Sequence, residues 1–369
     1  MTTRLAVLVT PHDGPPYQDL LYENVEALGV RIVYDDGPTF SQTLNIALMP
    51  AILLWRRAQG CRVLHIHWLF QFSLPWAKAS PWSRRAMEYW FDLYLGVARV
   101  LRYAIVWTAH DLLPHEPLFA SDTRARTRLL RDAGAVIALS DATADELRDL
   151  GARSVRVIPF GSYAGPYPVS LTREEARSSF GLDDQDFVVS LIGRLEPYKG
   201  ADILLNAIAL LPATSRMKVL LAGTCPDKDY LTTLRQLAGR FPHRVVTTFS
   251  WIPDSDLARF YQASDVAAFA FREITNSGSV LLAQSFGKPV VIPDLANLRD
   301  IPATSAIRAD ADADSLASAL QAAEHLTKTQ FDAMSEASFG WANRISWPEA
   351  ARATREAYDD ALSLRDARS

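Results

Sequence analysis

Short apolar runs recur along the whole chain, and each ends in polar or turn-forming residues. The runs of the first half lie at residues 5–9, 31–34, 63–68, 104–108 and 135–139. Those of the second half lie at residues 187–192, 218–222, 244–247, 266–269 and 289–292. Helix-like stretches such as 202–211 and 230–240 separate them. Strands that alternate with helices form parallel sheets covered on both faces, so the pattern predicts an α/β fold.

The alternation breaks at Gly161–Pro168, where four of eight residues are Gly or Pro. Such a segment interrupts helices and strands and is typical of a linker. A length of 369 residues also exceeds what one ordinary core accommodates. We therefore predict an N-terminal domain over 1–165, a C-terminal domain over 166–347, and a closing helix at about 348–369 that completes the first domain. Two such Rossmann-like domains are expected to face each other across a cleft, with ligands at the carboxyl ends of the strands.

The composition is that of a globular protein that works in water. Hydrophobic residues make up 49% of the chain, charged residues 22%, and the net charge of −4 gives no reason to expect nucleic acid as a partner. Cys61 and Cys225 match no disulfide or metal pattern and are interpreted as reduced thiols. The first residues do not resemble a signal peptide, and no run of about 18 apolar residues could span a membrane. These features favour a cytoplasmic protein.

The segment Gly193–Gly200 (GRLEPYKG) carries the clearest candidate chemistry. It follows the first strand of the second domain, and its two terminal glycines permit close backbone approach and a turn into the next helix. Arg194 and Lys199 place two cations at the mouth of the sheet, where they could neutralise a diphosphate leaving group. On spacing alone, two solvated surface cations in a turn are an equally good interpretation.

This segment resembles the G-R-x-x-x-x-K-G element of retaining GT-B glycosyltransferases in the large family called glycosyl transferases group 1. Further segments of that family's pattern follow in the same order, namely Ala222-Gly223, residues 249–265 and residues 275–290. In the first domain, residues 107–116 (WTAHDLLPHE) and 157–163 (VIPFGSY) resemble a bacterial subgroup linked to exopolysaccharide and glycolipid assembly. The resemblance spans roughly residues 60–350 and implies the GT-B architecture of two Rossmann-like domains.

The resemblance also implies roles in a donor site. Arg194 and Lys199 would hold the donor pyrophosphate, and backbone amides at the start of a helix would face phosphate as well. Trp251 and Ile252 would lie against the nucleobase. The donor-binding candidates of the second domain are Gly193, Gly223, Trp251, Ile252, Asn276, Ser277, Gly278 and Ser279. An ordinary helix cap at Asn276–Ser279 and a core position for Trp251 are the alternatives.

One residue that the family pattern leads us to expect is missing. Many members carry two glutamates in an E-x7-E pattern, and the second binds the ribose. Glu273 precedes the loop, but Leu281 stands eight residues further on, and Gln284 is the nearest polar substitute on that helix. The ribose contact, a catalytic role of Glu273 towards the sugar, and the retaining outcome are therefore left open.

The first domain offers candidates directly after its strands. Asp13 could bind a sugar hydroxyl, act as a base or simply cap a helix, and Gly14 permits close backbone approach to a ligand. His110 follows the strand at 104–108, and the resemblance implies that it contacts the donor sugar.

Other polar residues crowd the loop that contains His110. Asp111, His115 and Glu116 are candidates for an acceptor contact or a general base. His65 and His67 alternate along another strand and are predicted to be hydrogen-bonded core histidines.

Neither a metal nor another cofactor is expected. No set of His, Cys and Asp residues has metal-ligand spacing, and no D-x-D motif stands out near the end of a strand. Arg194 and Lys199 would supply the positive charge that a divalent ion would otherwise provide.

An aromatic segment, residues 68–91, is also rich in arginine. A helix with Trp, Tyr and Arg can lie in a membrane interface, which would suit a lipid-linked acceptor. A helix that packs its aromatic side chains into the first domain is the alternative and is slightly favoured.

The expected function is transfer of a hexose from a nucleotide-sugar to a saccharide or lipid-linked acceptor. GDP-mannose is the first candidate for the donor, and a UDP-sugar is the second. Two alternatives stay open: another nucleotide-sugar enzyme on the same fold, such as an epimerase or a sugar-phosphate synthase, and a non-catalytic nucleotide-binding assembly protein. The missing glutamate favours the last, whereas Arg194, Lys199 and His110 argue against it.

Overall fold

The computed structural model of the chain describes residues 4–12, 16–35, 42–69, 80–114, 117–167 and 171–367. Contacts divide the chain into two compact units. Met1–Phe160 and Ser346–Ser369 form the N-terminal domain, and Gly161–Ile345 form the C-terminal domain. Each domain has a parallel sheet flanked by helices, which confirms the α/β class that the alternating pattern predicts.

The N-terminal domain has its strands at β1 (Ala6–Thr10), β2 (Arg31–Tyr34), β3 (Cys61–Ile66), β4 (Ala104–Ala109), β5 (Ala135–Ala138) and β6 (Val155–Val157). Its helices up to the linker are α1 (Tyr17–Ala27), α2 (Gln42–Ala58), α3 (Pro81–Val100), α4 (Asp122–Asp132) and α5 (Asp141–Asp149). Over the described residues, the sheet order is β2-β1-β3-β4-β5-β6. Strands β1, β4 and β5 are buried along their whole length, as expected of a sheet covered on both faces.

The C-terminal domain has its strands at β7 (Phe187–Ile192), β8 (Met217–Ala222), β9 (Val245–Thr248), β10 (Val266–Ala268), β11 (Val290–Ile292) and β12 (Ala306–Arg308). Its helices are α6 (Arg173–Ser178), α7 (Ala201–Leu210), α8 (Lys228–Gly239), α9 (Asp254–Ala263), α10 (Gly278–Ser285), α11 (Ala313–Glu324) and α12 (Lys328–Ala342). The sheet order is β12-β11-β10-β7-β8-β9, which is the order of a Rossmann fold.

The last helix, α13 (Trp347–Ala367), returns to the N-terminal domain and packs against α1, β4 and β5. Gly134, directly before β5, allows this approach, because a Cβ atom at that position would lie 2.8 Å from the Cα atom of Ala361. The two elements therefore meet backbone to backbone.

The apolar pattern misses β6 and β12. Each strand has three residues, includes an arginine (Arg156 or Arg308), and lies at one edge of its sheet. With only three residues, one of them an arginine, neither strand produces a recognisable apolar run.

Candidate active site

The strand order of each sheet reverses once, and open parallel sheets bind ligands at such points. In the C-terminal domain the reversal falls between β7 and β10. The loop after β7 is the predicted segment Gly193–Gly200, and the chain after β10 runs through Asn276 into α10. The topology therefore brings both predicted phosphate-binding segments to one edge of the sheet.

Gly193 lies at the centre of this edge. Its φ of 123° is one that L side chains rarely adopt, and its amide donates to the Ala222 carbonyl at 2.9 Å. A Cβ atom there would lie 3.4 Å from Ser279 Oγ and 3.7 Å from Lys199 Nζ. Gly223 has a φ of 141°, and a Cβ atom on it would overlap the Gly193 carbonyl oxygen at 1.7 Å. Glycine is therefore needed at 193 for its φ, and at 223 both for its φ and because a side chain there would overlap the Gly193 backbone.

Lys199 ends a 3₁₀ turn and is only 8% exposed. Its Nζ donates to Ser279 Oγ at 3.2 Å, which joins the loop after β7 to the first turn of α10. Burial lowers the pKa of Lys199 to about 8, while the Glu196 carboxylate raises it and the Arg194 guanidinium lowers it further. A buried ammonium beside a helix amino terminus attracts an anion strongly, because little water screens it.

Arg194, the second predicted cation, is arranged differently. Its side chain is 65% exposed, and its Nε lies 2.5 Å from Glu196 Oε1. Solvent screens an exposed pair of this kind, so breaking it costs little free energy. The guanidinium is therefore able to turn towards a diphosphate, whereas the fold itself holds Lys199 against Ser279.

Arg272, just before α10, anchors the same loop, although no sequence motif singles it out. Its amide donates to the Tyr198 carbonyl at 2.8 Å, and its Nη2 lies 2.7 Å from Asp202 Oδ2. Nearby, Gly200 has a φ of 71°, and a Cβ atom on it would lie 2.2 Å from the Ala270 carbonyl oxygen. These contacts fix the position of Lys199 relative to the chain that leads into α10.

The amino terminus of α10 contributes backbone amides. Ser277 caps the helix by accepting from the Val280 amide at 3.2 Å, so the helix-cap interpretation is correct for this residue. Asn276, Gly278 and Ser279 are half-buried around the cap. A cap satisfies only part of the amides in the first turn, so the cap is compatible with an anion at the same helix end.

The interpretation of Gln284 as a substitute for the missing ribose-binding glutamate is wrong. Its side chain is fully buried, and its Nε2 donates to Ser305 Oγ at 3.1 Å inside the domain. Leu281, where the second glutamate is expected, is 4% exposed. These residues lie on the part of α10 that packs into the core, where they cannot reach a ribose. Glu273 is exposed before the helix, and its role towards the sugar stays a prediction.

Trp251 is 69% exposed shortly after β9, whereas its neighbour Ile252 packs in the core. The alternative that Trp251 is a core residue is therefore excluded. An exposed indole near the carboxyl ends of the strands is suited to stacking on a planar ring.

In the N-terminal domain, the strand order reverses between β1 and β3. His67 follows β3, and His110 follows the neighbouring β4. His67 Nδ1 lies 3.1 Å from His110 Nε2, and the His110 ring stacks on Trp68 with ring centroids 4.3 Å apart. His110 is 8% exposed, so the fold holds this imidazole in one orientation from two sides.

Hydrogen bonds continue from His67 into the core. The Tyr22 hydroxyl lies 2.5 Å from His67 Nε2 and 2.8 Å from His65 Nδ1. His65 Nδ1 also lies 2.9 Å from the Tyr358 hydroxyl of α13, and His65 Nε2 lies 2.8 Å from Thr108 Oγ1. The prediction that His65 and His67 are hydrogen-bonded core histidines is confirmed.

Burial keeps these three imidazoles neutral. It lowers the pKa of His65 and of His110 to about 3. It also lowers the pKa of His67 well below its ordinary value, and the neighbouring His65 and His110 lower it further. At physiological pH, His110 therefore offers hydrogen bonds rather than a positive charge.

Four predicted site residues, Asp13, Gly14, His115 and Glu116, lie outside the residues that the structure describes. Asp111 is described and is half-buried beside His110. Within the described ranges, no helix is long and apolar enough to cross a bilayer, and no three His, Cys, Asp or Glu side chains are grouped as metal ligands.

Comparison with protein families identifies both domains. The profile described as Glycosyltransferase Family 4 matches residues 5–161, and the profile described as Glycosyl transferases group 1 matches residues 186–324. The second match includes the loop after β7 and all of α10. The chain is a member of glycosyltransferase family 4. The family resemblance of the sequence is thereby confirmed.

Relatives of this family 4 member include the D-inositol 3-phosphate glycosyltransferase of Actinosynnema mirum, 29% identical over 57% of this chain and 56% of that enzyme. The GDP-mannose:glycolipid 4-beta-D-mannosyltransferase of Xanthomonas campestris pv. campestris is 25% identical over 67% of this chain and 66% of that enzyme. The matched part is thus between just over half and about two-thirds of these relatives. Among solved structures, Anabaena HepE in complex with UDP and glucose aligns with a TM-score of 0.72 at 17% identity, over 96% of this chain and 98% of that one. This likeness confirms the GT-B fold class.

The lowered pKa of Lys199 should appear in the kinetics of any donor that binds at the loop after β7. We expect kcat/KM for the donor to fall about tenfold per pH unit above pH 8, because the free protein then loses the Lys199 charge. Initial rates over a pH series measure this effect, and a kcat/KM that stays constant up to about pH 10 would contradict it.

The same pKa affects stability. The folded pKa of about 8 lies below the ordinary 10.5, so the unfolded chain binds more protons between these values. The free energy of unfolding should therefore rise with pH in that window.

Proposed function

We propose that the chain transfers a hexose from a nucleotide-sugar to a saccharide or lipid-linked acceptor, with GDP-mannose as the first candidate donor and a UDP-sugar as the second. The observation that carries the proposal is the cluster of Gly193, Lys199 and Ser279, where a buried ammonium meets a helix amino terminus beside a glycine without a side chain. Such a cluster suits a diphosphate, which is the leaving group of a nucleotide-sugar. The name of the Xanthomonas relative supports GDP-mannose as the first candidate.

In this proposal the C-terminal domain binds the donor and the N-terminal domain binds the acceptor. Negative charge grows on the diphosphate as its bond to the sugar breaks. Lys199, Arg194 and the amides at the start of α10 stabilise that charge more in the transition state than in the bound donor. His110, neutral and held by His67, orients a sugar hydroxyl through a hydrogen bond, and Asp111 stays the described candidate for an acceptor contact or a base.

A thermal-shift panel of GDP, UDP, GDP-mannose and UDP-glucose tests the donor site. A ligand that binds only the folded state raises the melting temperature according to its concentration relative to Kd. The nucleotide base that the site accepts should therefore give the largest shift. We expect GDP and GDP-mannose to give the largest shifts. Larger shifts with the UDP compounds would assign a UDP-sugar, and no shift with any of them would contradict a nucleotide-sugar site.

A product assay with the donor that binds separates the remaining alternatives. Transfer to an added saccharide or glycolipid acceptor is the expected result. A changed sugar without an acceptor would indicate an epimerase, transfer to a sugar phosphate would indicate a synthase, and binding without turnover would indicate an assembly protein.

We propose that transfer needs no metal ion, since Lys199 and Arg194 supply positive charge at the diphosphate. We expect the rate in excess EDTA to stay within about twofold of the rate with added Mg²⁺ or Mn²⁺. Initial rates with and without chelator measure this. A loss of activity in EDTA that Mn²⁺ or Mg²⁺ restores would contradict the proposal.

We also propose that the N-terminal domain contacts the cytoplasmic face of a membrane through α3. The alternative that this helix packs its aromatic side chains into the domain is correct for Phe91 and Tyr94, which are buried. Trp82, Tyr89 and Leu93 are instead 74%, 63% and 57% exposed. They are spaced seven and four residues apart and so form one stripe along the helix.

Basic residues make this stripe suitable for an anionic surface. Arg85 is exposed and lies one helical turn from both Trp82 and Tyr89, and Arg84 directly precedes it. Exposed aromatic residues bury in the lipid interface, while guanidinium groups pair with lipid phosphates. A lipid-linked acceptor would then reach the protein from the membrane.

Vesicle binding tests this surface. We expect replacement of Trp82, Arg84 and Arg85 by Ala to reduce co-sedimentation with phosphatidylglycerol vesicles by about tenfold, because an aromatic anchor and two charges are lost. Phe339→Ala is the matched control, since Phe339 is also exposed, at 49%, but lies in the C-terminal domain. Unchanged binding of the triple variant would refute the α3 contact.

A further inference from the structure

A cavity of about 650 Å³ lies at the amino ends of β4 and β5 in the N-terminal domain. Its lining includes arginines from four different segments, namely Arg99, Arg102, Arg131, Arg153 and Arg365. His110 follows the opposite end of β4, whose six residues span about 20 Å. The cavity is therefore separate from the candidate active site.

Positive charge dominates this cavity. Asp132 is the one carboxylate among its lining residues, and its Oδ2 already lies 3.1 Å from Nη2 of Arg128, which is not a lining residue. Arg365 pairs with Asp366 at 2.7 Å. The Asp132 carboxylate also interacts electrostatically with Arg99, Arg131 and Arg153, but among the described residues no carboxylate lies within ion-pair distance of these three arginines. Guanidinium groups held together in this way repel one another, so an anion between them is favoured.

Arg102 occupies a backbone position that would suit glycine better. Its φ is 57°, and it is the one non-glycine residue with a positive φ among those described. It follows the end of α3, where the Tyr103 amide donates to the Ala98 carbonyl at 2.9 Å. This is the position of a helix-ending motif in which glycine is usual, because a side chain there is strained. An arginine at this position indicates that the guanidinium has a function that offsets the cost of the strained backbone.

We propose that this cavity binds the phosphoryl groups of a ligand that carries at least two negative charges. Guanidinium groups bind phosphate oxygens in pairs of hydrogen bonds, so the arginines of the lining suit phosphoryl oxygens. The volume is that of a small-molecule site, and Tyr103, Ile105 and Leu364 add apolar surface beside the charges. The ligand is a soluble phosphorylated compound or a phospholipid headgroup. The inference does not depend on the proposed transfer reaction.

Inorganic pyrophosphate is the probe for this chemistry. Calorimetric titrations use the full chain with Lys199→Met, so that binding at the candidate donor site is weakened first. Addition of Arg131→Gln and Arg153→Gln should then weaken the remaining binding about tenfold or more, because two charged hydrogen-bond donors are lost. Arg148→Gln is the matched control, since Arg148 is an exposed arginine of α5 outside the cavity. If the Arg131 and Arg153 variant binds pyrophosphate like the Arg148 control, the proposal is wrong.

Arg102→Gly gives a second test that a folding defect cannot imitate. Glycine relieves the strained φ, so we expect a melting temperature equal to or above that of the parent chain. Pyrophosphate binding should fall nevertheless, because a guanidinium of the cavity is lost. An Arg102→Gly variant that keeps full pyrophosphate affinity would overturn the proposal.

Vesicles separate the two sources of phosphate. Vesicles that contain cardiolipin, whose headgroup carries two phosphates, should bind the Arg131 and Arg153 variant less than the Arg148 control if the ligand is a lipid headgroup. Equal vesicle binding, together with weakened pyrophosphate binding, would assign the cavity to a soluble phosphorylated compound.

Discussion

Replacement of Lys199 by Met should lower the rate of sugar transfer by about 10²–10³-fold, the usual effect of removing one preorganised group that stabilises developing charge. Methionine keeps the buried volume and removes the ammonium that donates to Ser279. The loss should be seen in kcat as well as in kcat/KM, because the charge on the diphosphate grows as the sugar bond breaks. Steady-state rates with the donor that binds are the measurement.

Lys288→Met is the matched control for this experiment. Lys288 is a lysine of the same domain whose pKa burial also lowers to about 8, but its Nζ donates to the Ser264 carbonyl, in the turn between α9 and β10. Its replacement should lower the melting temperature and leave kcat nearly unchanged. Equal kcat losses in the two variants would show that Lys199 acts through stability rather than through the leaving group.

Replacement of His110 by Ala should lower kcat/KM by about 10²-fold, the scale of loss when a bound group is misplaced by about an ångström. The ring is held by the His67 hydrogen bond and the Trp68 stack, so its removal takes away a fixed hydrogen-bonding group. His325→Ala, at an exposed histidine in the C-terminal domain, is the control. Steady-state rates of both variants measure the effect.

The pH profile of kcat/KM shows whether His110 acts as a neutral hydrogen-bonding group or as a general acid or base. Its pKa of about 3 keeps it neutral from about pH 5 upwards, so the unmodified chain should show no titration of His110 near the ordinary histidine value. A limb near pH 6.5 that disappears in His110→Ala would contradict the neutral role and indicate a general acid or base.

Much of the fold could be predicted from the sequence because central strands are the most apolar parts of the chain. β1, β4 and β5 are buried on both faces, so their apolar runs stand out. β6 and β12 do not stand out, because each has only three residues and one of them is an arginine.

The candidate site was predictable where a residue acts through its own backbone. Gly193 and Gly223 follow strands, and both have a φ that favours glycine, while a side chain at 223 would also overlap the Gly193 backbone. The direction of a helical side chain was harder to predict. Gln284 is polar, yet its side chain is buried in the core, where its Nε2 donates to Ser305, a partner that no local pattern indicates.

Contacts between distant parts of the chain could not be predicted. Tyr358 and His65 are 293 residues apart, and no local pattern indicates that α13 supplies the hydroxyl that reaches this histidine. The anchoring of the donor loop by Arg272 likewise depends on the reversal of strand order between β7 and β10. Such pairs follow from tertiary packing, whereas periodicity reports only which face of an element is buried.

A crystal structure of the chain with GDP bound tests the donor site without any intervening assumption. We predict that a β-phosphate oxygen lies within about 3 Å of Lys199 Nζ and faces the amides at the start of α10. A nucleotide bound elsewhere, with Lys199 still bonded to Ser279 and no phosphate at the loop after β7, would contradict it.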